Sequence, residues 1–179
     1  MLRPPETFTT ARLTARPPAA SDAPAVFAAY ANDPVVTRYL SWRFYETVPP
    51  LGEFLATRAE TWRTGDGQFG WLLHRRETGE LAGSIGVTLQ AHDALFGYVL
   101  GQKFWRQGLM AEALRHVVDW SLSQPEIYRA WAFCDAENPA SARVMEKAGM
   151  QREGVLRRWH ICPNLGPEPR DCIVCAKVK

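Results

Sequence analysis

Residues 12–16 alternate apolar Leu13 and Ala15 with polar neighbours, and this period of two predicts a first strand. Pro17 and Pro18 end it. Ser21 and Asp22 then precede a run that sets Val26, Phe27 and Tyr30 on one side, the pattern of a helix over 23–31 capped at its start. Asp33-Pro34 breaks that helix, 35–40 reads as a second short one, and 51–63 as a longer helix closed by Gly65-Asp66-Gly67. Between them, 41–50 carries Trp42, Phe44, Tyr45, Pro49 and Pro50, which suits a loop that lines a pocket or packs on the core. Residues 69–74 and 81–89 read as strands joined by a tight turn at Glu77-Thr78-Gly79-Glu80.

The second half is more strongly patterned. An apolar, aromatic run over 94–100 predicts a strand, and a short loop follows it. Beyond the loop, Met110, Ala113, Leu114, Val117, Val118 and Ser121 share one helical face, with Glu112, Arg115, His116 and Asp119 opposite. Residues 128–133 predict another strand. Asn138 is then a natural N-cap with Pro139 at the first helical position, in a helix running to Ala148 and stopped by Gly149. Strands over 154–161 and 171–178 close the chain, separated by a loop with Pro163, Gly166, Pro167 and Pro169. This order predicts a mixed α+β fold, and 179 residues fit one domain spanning the chain.

Composition narrows the class. Hydrophobic residues make up 46% and charged ones 22%, as in ordinary globular proteins. A net charge of +2 offers no electrostatic support for nucleic-acid binding. No apolar run approaches the ~18 residues of a membrane span, and residues 1–6 lack the apolar core of a signal peptide, so a cytoplasmic protein is the expectation. Of the four cysteines, Cys172 and Cys175 have metal-like spacing, but Ile173-Val174 between them reads as buried strand, and no second Cys or His pair completes a zinc site. Reduced structural thiols and no metal are expected.

The stretch Phe104-Trp105-Arg106-Gln107-Gly108-Leu109-Met110-Ala111 lies between strand and helix. A helix entrance points free N–H groups outward and carries the positive end of the helix dipole, and Gly108 permits close backbone approach; such a corner holds an anion such as a diphosphate. A dinucleotide or P-loop fold is excluded, because no second glycine precedes Gly108 at the needed spacing and no Gly-Lys-Ser/Thr occurs.

Two markers together resemble the GCN5-related N-acetyltransferase (GNAT) family. The run Trp105-x-x-Gly108-x-x-x-Glu112-Ala113 is similar to the branch that holds the ribosomal-protein alanine N-acetyltransferases. Of the family's stricter loop pattern, Gln/Arg-x-x-Gly-x-Gly/Ala over 105–110, only Gly108 is kept. The second marker, Asn138-x-x-Ser141-x-x-Val144-x-Glu146-Lys147-x-Gly149-Met150 followed by Glu153-Gly154, matches the same branch with Met150 in place of Phe. The resemblance implies three layers: a mostly antiparallel twisted sheet, splayed at the acetyl-CoA site, between helices. It implies acetyl transfer from acetyl-CoA, with no metal, to a primary amine that attacks the thioester directly. A protein N-terminus, a small amine or an antibiotic would serve as acceptor; a non-catalytic acyl-CoA-binding module is the alternative, and homodimerisation is open.

By the same resemblance, the diphosphate of CoA would lie against the backbone of Arg106, Gln107, Gly108, Leu109, Met110 and Ala111, while the pantetheine arm would pair with main chain of Tyr98, Val99 and Leu100. Gly97 would serve a close approach there or simple packing. Many members place a Tyr on the second marker helix as acid for the departing thiolate; Met145 stands there, and the branch uses Ser141 instead. Asn138 would cap its helix and contact CoA. His160 aligns with a Glu of some relatives, and its ordinary pKa of ~6.5 suits a base for the amine proton, although a surface His beside Trp159 reads equally. Glu112 is expected to be a structural, dipole-completing carboxylate, Asp171 has no derivable role, and at most one of Arg157 and Arg158 faces the cleft.

Overall fold

The structure, a computed structural model, describes residues 2–65 and 67–179. Met1, and Asp66 of the expected Gly65–Gly67 stop, lie outside the described residues. Eight strands form one sheet: β1 (Phe8–Thr9), β2 (Leu13–Arg16), β3 (Gln68–Arg75), β4 (Leu81–Gln90), β5 (Asp93–Leu100), β6 (Arg129–Asp135), β7 (Gln151–Ile161) and β8 (Pro169–Val178). Their order is β1-β2-β3-β4-β5-β6-β8-β7, antiparallel except where β5 meets β6. The helices are α1 (Ala23–Val26), α2 (Pro34–Thr37), α3 (Val48–Thr64), α4 (Leu109–Ser123) and α5 (Pro139–Lys147).

Strand alternation sends side chains into two cores. Phe69, Trp71 and Leu73 of β3, Ile85 and Val87 of β4 and Phe96 of β5 pack with Leu109, Ala113, Leu114 and Val117 of α4 and Met145 of α5. Leu72, Leu81 and Val99 face the other way, against Val26 of α1, Leu51 and Leu55 of α3, and Tyr30. The sheet is therefore the middle of three layers. Each large side chain taken fully out of water contributes about 1.5–3 kcal/mol, so neither face is left to loops.

Several boundaries differ from the sequence reading. The helix over 23–31 is α-helical only to Val26; Phe27–Ala31 is a π turn, closed by Asn32 N–H on the Phe27 carbonyl at 3.3 Å. The wider turn buries Tyr30 and Ala31 side by side. Asp22 does not cap: its carboxylate takes the Arg16 guanidinium at 2.8 and 2.6 Å and the Ala19 amide at 2.7 Å. The second helix is a single turn, capped by Asp33 through the amides of Val35 and Val36 at 2.8 and 3.3 Å. Pro49 and Pro50 belong to the first turn of α3 rather than to a loop, since no helical partner is owed to an N–H there. The short strand β1 carried no period long enough to read.

β7 shifts register between Leu156 and His160, with Arg158 at φ 50°. The Asp171 carboxylate accepts the Arg158 amide at 2.9 Å, which gives Asp171 the role its sequence position did not show. All four cysteines are free and buried. Among the described residues, no helix is long and apolar enough to cross a membrane.

Candidate active site

The parallel pairing of β5 with β6 covers only Asp93–Leu95 against Arg129–Trp131, whereas β5 pairs with β4 along its whole length. From Phe96 onward the two strands part. The Gly101 amide donates to the Ala82 carbonyl at 2.8 Å, and alternation then aims the main-chain groups of Val99 at β4 and those of Tyr98 and Leu100 into the gap. Of the three residues assigned to this edge, Val99 spends its peptide groups within the sheet. The Leu100 carbonyl accepts the Trp105 indole N–H at 2.7 Å, so one acceptor of the open edge is already engaged.

The loop leading to α4 has two left-handed residues, Arg106 at φ 63° and Gly108 at φ 75°. Gly108 is the residue type this conformation favours; Arg106 is held there against its preference. The first helical bond runs from the Glu112 amide to the Gly108 carbonyl at 3.1 Å, leaving the amides of Leu109, Met110 and Ala111 ahead of it at the positive end of the dipole. Arg12 fastens the loop, donating to the Gln107 carbonyl at 2.8 Å. The Gln107 side chain turns away, donating to the Lys103 carbonyl at 3.1 Å and accepting from Arg75 at 3.2 Å. Arg106, Arg143 and Lys147 stand around the same cavity, a charge pattern that fits a diphosphate.

Glu112 clamps this corner to the N-terminal hairpin. It accepts from the Thr10 hydroxyl at 2.6 Å, the Arg12 amide at 2.9 Å and the Arg12 guanidinium at 2.7 Å. Burial raises its pKa, and these hydrogen bonds outweigh burial, holding the carboxyl below its ordinary 4.5. A lowered folded pKa contributes stability that is present above the unfolded value and lost as pH falls through the folded one. Glu112→Gln is therefore expected to cost about 1–2 kcal/mol in urea unfolding at neutral pH, with the gap to the native protein closing below about pH 4.

On α5 the Asn138 side chain accepts the Ser141 amide at 3.2 Å, the cap expected from sequence. The Ser141 hydroxyl does not bond back to its own helix. It lies 2.8 Å from the Tyr98 hydroxyl, which also reaches the Ser141 carbonyl at 3.1 Å. Burial raises the Tyr98 phenol above its ordinary pKa, keeping it protonated. Tyr98 was expected to act through its main chain; its side chain also reaches Ser141 on the α4/α5 face of the sheet, a meeting no local motif encodes. Met145, where many relatives carry Tyr, is fully buried.

A cavity of about 1300 Å³ joins these parts. Tyr98, Val99, Leu100, Arg106, Gly108, Leu109, Met110, Ala111, Asn138, Ser141 and His160 all line it; Gln107, Arg157 and Arg158 do not. The β7 bulge leaves His160 half-buried, edge-on to Phe133 at 5.0 Å, and desolvation lowers its pKa from 6.5, so its imidazole is neutral at pH 7. On the α1/α3 side, the cavity floor is a row of glycines in register, Gly70 with Gly86 and Gly86 with Gly97. A methyl group at Gly70 would meet nothing within 4 Å, and one at Gly97 only the Gln68 amide at 3.9 Å. Its walls include Trp42, Tyr45 and Phe54. Asn164, from the proline-rich loop, donates to the carbonyls of Thr37 and Trp42 at 2.8 Å each, stitching that loop to the aromatic segment.

The family model described as acetyltransferase (GNAT) domain matches residues 12–151 of this chain. The chain belongs to the GNAT family. This acetyltransferase is 35% identical over 153 residues to the uncharacterized N-acetyltransferase YoaA of Bacillus subtilis (strain 168), covering 84% of this chain and 85% of YoaA. Its fold is similar to that of a GNAT-family acetyltransferase from Bacillus anthracis, with a TM-score of 0.82, 25% identity and 96% and 98% of the two chains covered. It is also similar to RimL, a ribosomal alpha-N-protein acetyltransferase solved in complex with coenzyme A, with a TM-score of 0.84, 19% identity and coverage of 97% and 98%. The resemblance read from the two sequence markers thus holds at the level of family and fold. Of the other residues lining the cavity, Trp105 stood in the first sequence marker without a site role, while Gln68 and Arg58 carried no signal.

Proposed function

We propose that this acetyltransferase carries acetyl from acetyl-CoA to the α-amine of a protein N-terminus. The observation that carries the reading is the open edge of β5 lying opposite the three free amides at the start of α4. An edge with unpaired main chain accepts an extended pantetheine arm by strand-like pairing, and the helix entrance takes the diphosphate. Arg106, Arg143 and Lys147 complement its charge, and Asn138 stands beside them. At Gly70 and Gly97 the floor leaves open space for an extended acceptor on the opposite side of the sheet, while the Phe69 carbonyl and the Gln68 amide cover Gly86 between them. RimL, of the same fold, is named for N-terminal acetylation, which supports a peptide acceptor.

In this reading the neutral amine attacks the thioester carbon and a C–N bond forms. His160, neutral at pH 7, takes the proton that the nitrogen loses. The tetrahedral oxyanion collapses with cleavage of the C–S bond; the Ser141 hydroxyl passes its proton to the departing thiolate as it takes one from solvent, so the serine ends neutral, and His160 returns its proton to solvent. Tyr98 acts as a positioning residue, fixing the Ser141 hydroxyl at 2.8 Å. An α-amine suits the site because roughly a tenth of it is neutral at pH 7, against less than a thousandth of a lysine side chain.

The test is release of CoA thiol from acetyl-CoA in the presence of acceptors. Peptides with free N-termini are expected to be turned over, and the same peptides with blocked N-termini and internal lysines are not. Turnover confined to polyamines or antibiotics would overturn the peptide assignment. Silence across the whole panel would overturn catalysis with it.

A further inference from the structure

Arg58 is a half-buried arginine in the cavity with no acid to answer it. It projects from α3 into the acceptor side, its guanidinium 4.9 Å from the centre of the Phe54 ring. Its hydrogen bond to the Gln68 carbonyl, at 3.5 Å, is at the outer limit for such a contact. Among the described residues no carboxylate pairs with it. Arg12, Arg16, Arg129 and Arg170 hold Glu112, Asp22, Glu153 and Asp135, whereas Arg38, Arg106 and Arg143, which line the same cavity, share with Arg58 the lack of an ion pair among the described residues. The carboxylates that line the cavity, Asp135 and Glu137, are both committed to Arg170, at the far end by β6. Desolvation works against the charge on Arg58 and lowers its pKa, and Tyr45 opposes this only in part.

Even a half-buried cation left without an anion carries a desolvation cost that a ligand's anion would relieve. A guanidinium presents a planar fork that matches a carboxylate with two parallel N–H bonds, and the Phe54 ring lies close to the Arg58 fork. It sits beside Gln68, whose amide overhangs the glycine floor. We propose that Arg58 is a specificity-determining residue that recognises a carboxylate on the acceptor, so that this acetyltransferase selects amines with an acidic group near the reacting nitrogen. The proposal rests on the assignment of this cavity to the acceptor. The carboxylate has two sources, an acidic side chain near a protein N-terminus or the carboxyl group of a free amino acid.

Matched acceptors separate these cases. One pair of peptides differs only in Glu against Gln at the second residue; one pair of small acceptors is a free amino acid and its amide. For each pair kcat/KM is measured with the native protein, Arg58→Gln and Arg58→Lys. The native protein is expected to favour the acid by about tenfold or more, through KM. The ratio is expected to fall within about twofold in Arg58→Gln, to be intermediate in Arg58→Lys, and to shrink with added salt. A merely structural role would lower both members of a pair equally and leave the ratio, and that result would overturn the proposal. So would a native protein that ignores the acid in both pairs. Preference in the amino-acid pair alone keeps Arg58 as the carboxylate reader and removes the peptide assignment. Should neither pair turn over, calorimetric binding of the same four acceptors to the CoA-loaded protein reads the same ratio: an acid preference that Arg58→Gln abolishes supports the proposal, and equal binding overturns it.

Discussion

Replacing Ser141 with alanine is expected to lower kcat by about a hundredfold while the Kd for acetyl-CoA stays within about twofold. The departing thiolate then finds no hydroxyl proton at its side of the junction. The fold has little reason to change: the cap of α5 runs from the Asn138 side chain to the Ser141 amide, which alanine retains, and the Tyr98 hydroxyl keeps the Ser141 carbonyl at 3.1 Å. Rapid-quench measurement of acetyl transfer in a single turnover reads the chemical step directly, and calorimetry with acetyl-CoA reads affinity. Tyr98→Phe removes only the positioning contact, so its loss is expected to be smaller, near tenfold. A Ser141→Ala enzyme with unaltered single-turnover rate would take the proton role away from this residue.

The second large effect concerns stability. Arg170→Ala is expected to cost about 3–5 kcal/mol and to lower the melting temperature by roughly 10 °C. The Asp135 side chain is 1% exposed and is held by the Arg170 guanidinium. It also accepts the Glu137 amide at 2.8 Å, in the turn that leads to Asn138. Burial raises the Asp135 pKa, and the hydrogen bonds from Arg170, the Glu137 amide and Cys162, with the Arg170 charge, together outweigh it, so the carboxyl ionises below its ordinary 3.8. Its stabilisation is therefore complete above that value and is lost as pH falls through the folded pKa. Without Arg170 a buried charge is left uncompensated, so the penalty is expected to shrink in acid, where Asp135 protonates. Asp135→Asn on the Arg170→Ala background removes the charge and is expected to recover part of the loss in thermal unfolding. Additive losses in the double variant would show that the two residues act independently.

The element order was legible because each helix and strand carries its own signal within a few residues. Asn138-Pro139 announces a helix start through one side-chain hydrogen bond and one tolerated proline, and the structure has both. The face shared by Met110, Ala113, Leu114 and Val117 becomes the buried face of α4. The family markers were legible for the same reason, as short runs fixed by local backbone demands such as the positive φ of Gly108. Mistakes cluster where tertiary packing overrides local preference. The π turn at Phe27–Ala31 follows from burying Tyr30 and Ala31 together, and Asp22 abandons its cap for Arg16.

What the sequence by itself determined is most of the elements, the family and the glycine-bearing turn into α4, all written in neighbouring residues. The tertiary structure alone decided which distant residues meet: the glycine row, the Tyr98–Ser141 contact, the turn of His160 into the cavity, and Arg58 above an acid-free floor. Strand register causes the first two, since a slip of one residue would send every side chain to the opposite face. The bulge at Arg158, held by Asp171, causes the third. The fourth is a matter of which charges the packed chain uses up elsewhere, and no stretch of sequence carries that information.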